Sequence, residues 1–248
     1  MNVIYILWLR QIKRFIRSKA RLVGSLGQPL LYFLAFGFGF GPVYAKAGGG
    51  NYLEFLAPGV IAMSILFTAV FSGIEMIWDR QFGFLKETFV APVPRIQVVL
   101  GRILGGATVS FVQGLIVLIL TVLTGFRFSN LYGLPLAFLF MFLIAVLFTA
   151  IGTALASIME DMHGFQLVIN FLIMPIFFLS GAMFPLAGLP KALAVAAAID
   201  PLSYGVDGLR GALSNTAHFG MATDLMVLLA GVAVCLTLAV WLFKRIRM

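Results

Sequence analysis

The sequence predicts an all-α polytopic membrane protein: six transmembrane helices, an N-terminal amphipathic interfacial helix, and a short outer-leaflet helical hairpin before the last span. Composition is the first reason. Of the 248 residues 62% are apolar and 10% charged, with a mean hydropathy of +1.08, too little polar surface to cover a water-soluble domain. Length is the second. A helix rises about 1.5 Å per residue against a hydrocarbon layer about 30 Å thick. A span therefore needs roughly 20 mostly apolar residues, and six runs qualify: 25–44, 55–77, 103–124, 133–157, 165–185 and 224–243. The third reason is the sorting of the cations. With both termini placed in the cytoplasm, Arg10, Lys13, Arg14, Arg17, Lys19, Arg21, Arg80, Lys86, Arg95, Arg102, Lys244, Arg245 and Arg247 fall inside and Lys46, Arg127, Lys191 and Arg210 outside, 13 against 4. The positive-inside rule selects that orientation in a cell inner (plasma) membrane.

Residues 1–22 come first. Ile4, Trp8, Ile12 and Phe15 recur at helical spacing, while Arg10, Arg14, Arg17 and Arg21 follow the same rhythm about half a turn away. One apolar and one cationic face predict a helix lying along the inner surface, against anionic lipid headgroups. The alternating pattern does not match a cleavable signal peptide. The first span carries Gly37, Gly39 and Gly41, a GxGxG with no preceding strand, read as close helix packing and not as a nucleotide fingerprint. Glycines 48–50 are a turn signal.

After the second span the chain reads EMIWDRQFGFLKETFVAPVPRIQVVLGR, which predicts an amphipathic helix to Val90, a break at APVP, and a helix resuming into the third span. Residues 79–102 thus form a stiff, charged, proline-bounded knuckle on the cytoplasmic side. Gly101 with Gly105, and Ser110 with Gly114, permit close contact within one chain or between two. In the fifth span Gln166 and Asn170 share a face and Pro175 frees a backbone carbonyl, which suits either a kinked helix lining a pathway or an interhelical hydrogen bond. Residues 186–223 hold two helical stretches of about a dozen residues, too short to span. They are separated by Asp200, able to cap, and Pro201, able to open the second; Tyr204 follows. Trp8, Trp78 and Trp241 sit near inner ends of the segments and Tyr44, Tyr52 and Tyr132 near outer ones, as an aromatic belt requires. With no repeat or linker, 1–248 is one permease-like domain.

The chemistry is sparse. No GxxxxGK[ST] loop occurs, so the chain has no phosphate-loop ATPase of its own. His163 and His218 stand far apart, without metal-ligand spacing, and read as loop residues; Cys235 alone can form no intrachain disulfide. No carboxylate falls in mid-span. Glu75 is nearest, a gating or interfacial candidate within reach of Arg102. The net charge of +8 belongs beside lipid headgroups and not on nucleic acid. No cofactor is expected in this chain.

FGFLKETFVAPVPR followed by VVLGRILGG resembles the loop between the second and third spans of the type-2 ABC (ATP-binding cassette) exporter permeases, which include daunorubicin-resistance and nodulation-factor export permeases. The likeness continues through YLEFLAPGVIAM, FFLSGAMFPL and IDPLSYGVDGLRG. It implies a permease that pairs with a second copy of itself and docks on two copies of a separate ABC ATPase, where ATP and Mg bind. It implies further that the N-terminal helix (Trp8, Arg10, Arg14, Arg17) and the loop face that ATPase, and that the hairpin helps close the outer side. Carried onto this chain, Gly83, Leu85, Lys86, Glu87, Pro92, Pro94 and Arg95 form the coupling element, with Gly101 at its exit. The expected function is the membrane subunit of an ATP-driven exporter of an amphipathic drug, lipid-linked or glycan-like substrate. A secondary transporter or channel is the alternative, disfavoured by the lack of inverted repeats and buried ionisable residues. A membrane-embedded enzyme lacks any convergent catalytic constellation.

Overall fold

Long apolar runs punctuated by proline, glycine and charge give an all-helical chain. The computed structural model describes residues 3–47, 50–90, 92–129 and 131–246, with the side chains of residues 20–22, 86 and 89 outside that description. Gly48, Gly49, Arg247 and the side chains of Arg21 and Lys86, all used in the sequence reading, therefore lie outside the described residues. The helices are α1 (Val3–Arg17), α2 (Lys19–Lys46), α3 (Tyr52–Phe71), α4 (Ile74–Gln81), α5 (Phe84–Val90), α6 (Arg95–Leu123), α7 (Leu134–Ile158), α8 (Met162–Leu179), α9 (Lys191–Ile199), α10 (Pro201–Ser214) and α11 (Met221–Lys244), with a 3-10 turn at Leu131–Gly133 before α7. Six segments are long and apolar enough to cross a membrane: Val23–Lys46, Tyr52–Gln81, Arg95–Leu123, Leu131–Ile158, Met162–Leu179 and Met221–Lys244. The protein is a multi-pass membrane protein.

The centre of the bundle is α3 and α7, with α6 beside them and α2, α8 and α11 around the outside. Lipid is as apolar as leucine, so helices associate through packing contact, which favours small residues at crossings. The crossing of α3 and α7 shows this. A Cβ on Gly152 would sit 2.5 Å from the carbonyl oxygen of Val70, and one on Gly73 would sit 2.5 Å from that of Gly152. Gly114 likewise meets Ile65 and Met141, so the Ser110 and Gly114 pairing serves contacts within one chain.

Several boundaries differ from the sequence reading. The interfacial helix was expected to run to residue 22, but the chain turns at Ser18 and Lys19 already belongs to α2. The second span breaks at Ser72–Gly73, and the amphipathic stretch expected to be one helix to Val90 is two, α4 and α5. Gly83 separates them at φ +79°, a left-handed conformation that suits glycine. The fifth span ends at Leu179 and not at 185, because the chain turns through Ser180 to Met183, with Gly181 at φ +71°. His163 lies in the first turn of α8 and is not a loop residue.

Residues 186–223 depart further. α9 and α10 meet at 85° and form an elbow, not an antiparallel hairpin. α9 is mostly exposed, whereas α10 is wedged among α3, α7 and α11. Asp200 caps α10 by accepting from the Leu202 N–H at 2.9 Å, and Pro201 opens the helix, as expected. The elbow leaves Asp200 only 7% exposed. Burial raises its carboxyl from 3.8 to about 7, and Oδ2 has no partner among the described residues. With the folded pKa above the unfolded one, stability falls as pH climbs from about 4 to about 7 and then levels off. Asp200→Asn keeps an oxygen for the cap and removes the charge. It is expected to raise the thermal midpoint at pH 8 and to match the parent near pH 4, measured by tryptophan-fluorescence melts in detergent.

Candidate functional site

The polar chemistry gathers at the two ends of the bundle. At the end where α1, α4 and the start of α6 meet, Asp79 is 3% exposed and takes three charge-assisted hydrogen bonds. Arg10 donates from both Nη atoms at 2.8 Å, and Arg102 donates from Nη2 at 2.6 Å. Arg14 faces Glu75 at 3.5 Å. Arg102, the expected neighbour of Glu75, feels the Glu75 charge and gives its hydrogen bond to Asp79, one helical turn further along α4. Arg102 was placed by the sequence in a cytoplasmic loop; it is buried inside α6.

These bonds pin α1 across α6, and the glycines make room. A Cβ on Gly101 would touch the Ile4 carbonyl oxygen at 3.0 Å, and one on Gly105 would meet Gln11 at 2.5 Å. Trp8 Nε1 donates to Thr108 Oγ1 at 3.0 Å. The Gly101 and Gly105 spacing thus receives the amphipathic helix. The outer flank of α1, carrying Lys13, Arg14 and Arg17, lines an open basic cleft of about 750 Å³.

The knuckle follows from its punctuation. Gly83 sets α5 off from α4, and Pro94 caps α6 with Arg95 at its first position. Within α5, Leu85 is fully buried while Glu87 is exposed, and Phe84 lies under the Arg10 guanidinium at 3.7 Å. Pro92 and Pro94 are exposed. Phe82 and Val90 at either end of α5 are 81% and 87% exposed. Arg95 Nη1 donates to the Lys244 carbonyl at 2.7 Å, tying the start of α6 to the end of α11, where a cation also complements the helix dipole. Arg80 does the same for α7, donating to the carbonyls of Ser157 and Met159 at 3.1 and 3.3 Å.

Gln166, Asn170 and Pro175 lie on the exposed side of α8, opposite the buried stripe of Phe165, Ile169, Ile173 and Phe177. Among the described residues neither amide has a hydrogen-bond partner in this chain, so the interhelical bond within one chain is absent. At the other end of the bundle Tyr204 donates to the Ala198 carbonyl at 2.7 Å, closing the α9–α10 elbow. Sequence reading found Asp200 there but missed Asp207, Arg210 and Asp224, all buried. Asp207 accepts from the backbone N–H of His218 and Phe219 at 2.7–2.8 Å. The available signal was Asp207 and Arg210 one turn apart in α10 and Asp224 in the first turn of the apolar α11.

Among the described residues no cluster of three metal-ligating side chains occurs. A family model described as ABC-2 type transporter matches residues 2–214, from α1 to the end of α10. The chain is 30% identical over 210 residues to nodulation protein J of Rhizobium leguminosarum bv. trifolii, covering 83% of this chain and 76% of that protein. It is 29% identical over 212 residues to the putative transport permease ycf38 of Cyanophora paradoxa, covering 83% and 73% of the two chains. It is 27% identical over 206 residues to the inner membrane transport permease YadH of Escherichia coli (strain K12), covering 82% and 80%.

Proposed function

The chain belongs to the ABC-2 type transporter family, and from that premise we propose that it is the membrane subunit of an ATP-driven exporter whose energy arrives through α5. A separate ABC ATPase, in two copies, binds ATP and Mg and presses on the knuckle. A second copy of this chain completes the pathway, and an amphipathic drug, lipid-linked or glycan-like substrate leaves the cytoplasm. Both termini and the α1–α5 end face the cytoplasm.

The observation that carries this reading is the build of the knuckle. Leu85 anchors it in the core, while Phe82, Glu87 and Val90 stand out from the protein. Large apolar side chains so exposed beside charge suit a protein partner. A push on α5 is transmitted three ways. Phe84 bears on Arg10 and so on the Asp79 cluster that holds α1, α4 and α6; Gly83 joins it to α4 in the second span; Arg95 joins α6 to the end of α11. The basic flank of α1 offers charge to an acidic surface or to anionic lipid. Gln166 and Asn170, exposed on an otherwise apolar helix, favour a face turned toward a partner copy or a wet pathway over one in lipid.

Two measurements test this. The chain is purified with its cognate ATPase, and substrate-stimulated hydrolysis is compared with that of Glu87→Ala and Arg95→Ala. Stimulation is expected to drop about tenfold or more with the thermal midpoint unchanged for Glu87→Ala. No complex, or full stimulation in both variants, removes α5 as the coupling element. Orientation is read from Thr88→Cys in a Cys235→Ala background. A membrane-impermeant maleimide is expected to label it in inverted vesicles and not from outside intact cells.

A further inference from the structure

We infer that the cleft at the α10 end of the bundle, floored by Arg210, is a binding site for a phosphate-class oxyanion borne by a lipid headgroup or by a soluble molecule. The inference takes from the proposed function only the side on which the cleft opens, the outer one.

The cleft measures about 620 Å³ and lies between the start of α3, the Pro185–Ala187 turn and the loop after α10. Arg210 lines it while only 7% exposed. A cation so buried ordinarily has a carboxylate partner, because desolvating a lone charge costs several kcal/mol. Arg210 has none among the described residues. Nη2 donates to the carbonyls of Gly181 at 3.0 Å and Phe55 at 3.3 Å, and the guanidinium lies 4.0 Å over the Phe55 ring. Nε is buried without a partner. Of the two carboxylates that line the cleft, Asp207, a turn earlier on α10, feels the Arg210 charge but spends its hydrogen bonds on the backbone N–H groups of His218 and Phe219. Burial lowers the guanidinium to about 10, so it keeps its charge at neutral pH.

The two carbonyl contacts on Nη2 fix the plane of the guanidinium and leave Nη1 as the donor for a ligand oxygen. Glu54, also lining the cleft, accepts from Asn51 Nδ2 at 3.0 Å and narrows the choice. Its negative charge opposes a bare anion. A phosphate flanked by hydroxyls, as on glycerol or a sugar, places its anion on Arg210 and its hydroxyl donors on Glu54.

The test uses the full permease in nanodiscs of zwitterionic lipid, with an environment-sensitive fluorophore on Ala187→Cys in the Cys235→Ala background. One arm titrates inorganic phosphate against chloride at constant ionic strength; the other compares discs with and without phosphatidylglycerol. A saturable phosphate response, weakened about tenfold by Arg210→Gln, supports a soluble anion; a response to phosphatidylglycerol alone, lost in the same variant, supports the headgroup. Thr216→Glu, an exposed cleft position, adds a competing carboxylate while leaving Arg210 and its carbonyl contacts in place, and is expected to weaken either response similarly. It decides the matter alone if Arg210→Gln does not fold. No response in either arm, or responses unchanged in variants that melt like the parent, overturns the site. No ATPase or nucleotide is present, so the result is independent of the coupling experiment.

Discussion

Asp79→Asn is expected to lower the stability of the protein by about 3–5 kcal/mol, the largest loss of any single substitution considered. The reason is asymmetric. Arg10 is half-exposed and can turn to water once its partner is gone. Arg102 cannot. Its side chain is 5% accessible, its Nε already lacks a partner, and Asp79 supplies the carboxylate it is bonded to at 2.6 Å. Asparagine leaves a buried cation with one neutral oxygen. The double substitution Asp79→Leu with Arg102→Met removes both charges and is expected to recover most of the loss, since a buried ion pair replaced by apolar groups of similar volume is often neutral or better. Thermal midpoints of the parent, Asp79→Leu, Arg102→Met and the double variant in one detergent form the cycle, with Asp79→Asn measured beside them. A loss under about 0.5 kcal/mol for Asp79→Asn would mean that Arg102 finds another partner or water.

Gly152→Ala is expected to rank second, at about 1–3 kcal/mol or more. Its Cβ would meet the Val70 carbonyl oxygen at 2.5 Å and the Val70 Cα at 3.0 Å, and backbone cannot swing aside as a side-chain tip does. The two central helices must separate instead, at the place where the second span breaks. Gly73→Ala loads the same crossing from the other side, so the pair of substitutions should cost less together than the sum of each. Gly24→Ala is the control. No atom lies within 4 Å of its added methyl, and relief from glycine's flexibility is expected to leave stability equal or slightly higher.

How far the sequence could be read depended on the range of the interaction concerned. Span number follows from length and apolarity along the chain, and the helix breaks at Asp200-Pro201 and Pro94-Arg95 follow from backbone chemistry that acts locally. The helix periodicity of residues 4–15 was legible for the same reason. What Gly101 and Gly105 accommodate was not, because α1 sits far from them in sequence. That Arg102 gives its hydrogen bond to Asp79, with Glu75 a second charge nearby, depends on where α4 breaks from α3 at Gly73. Gly83 had been one residue in an amphipathic pattern, and its left-handed backbone emerges only with α4 and α5 both placed. Arg210 looked like an ordinary outer-loop cation; its burial depends on α10 wedging among three other helices, which no local pattern announces.

The clasp between α1 and α6 also sets an order of events during synthesis. The partners of the first helix lie 69 residues onward, at Asp79 for Arg10, and 100 residues onward, at Thr108 for Trp8. While the ribosome is still making the first two membrane segments, α1 has nothing to dock on and must wait beside the bilayer. Its cations Arg10, Arg14 and Arg17 are expected to hold it there against anionic lipid until Asp79 and Thr108 emerge. The opening helix is thus expected to dock only once the start of the third membrane segment has been made.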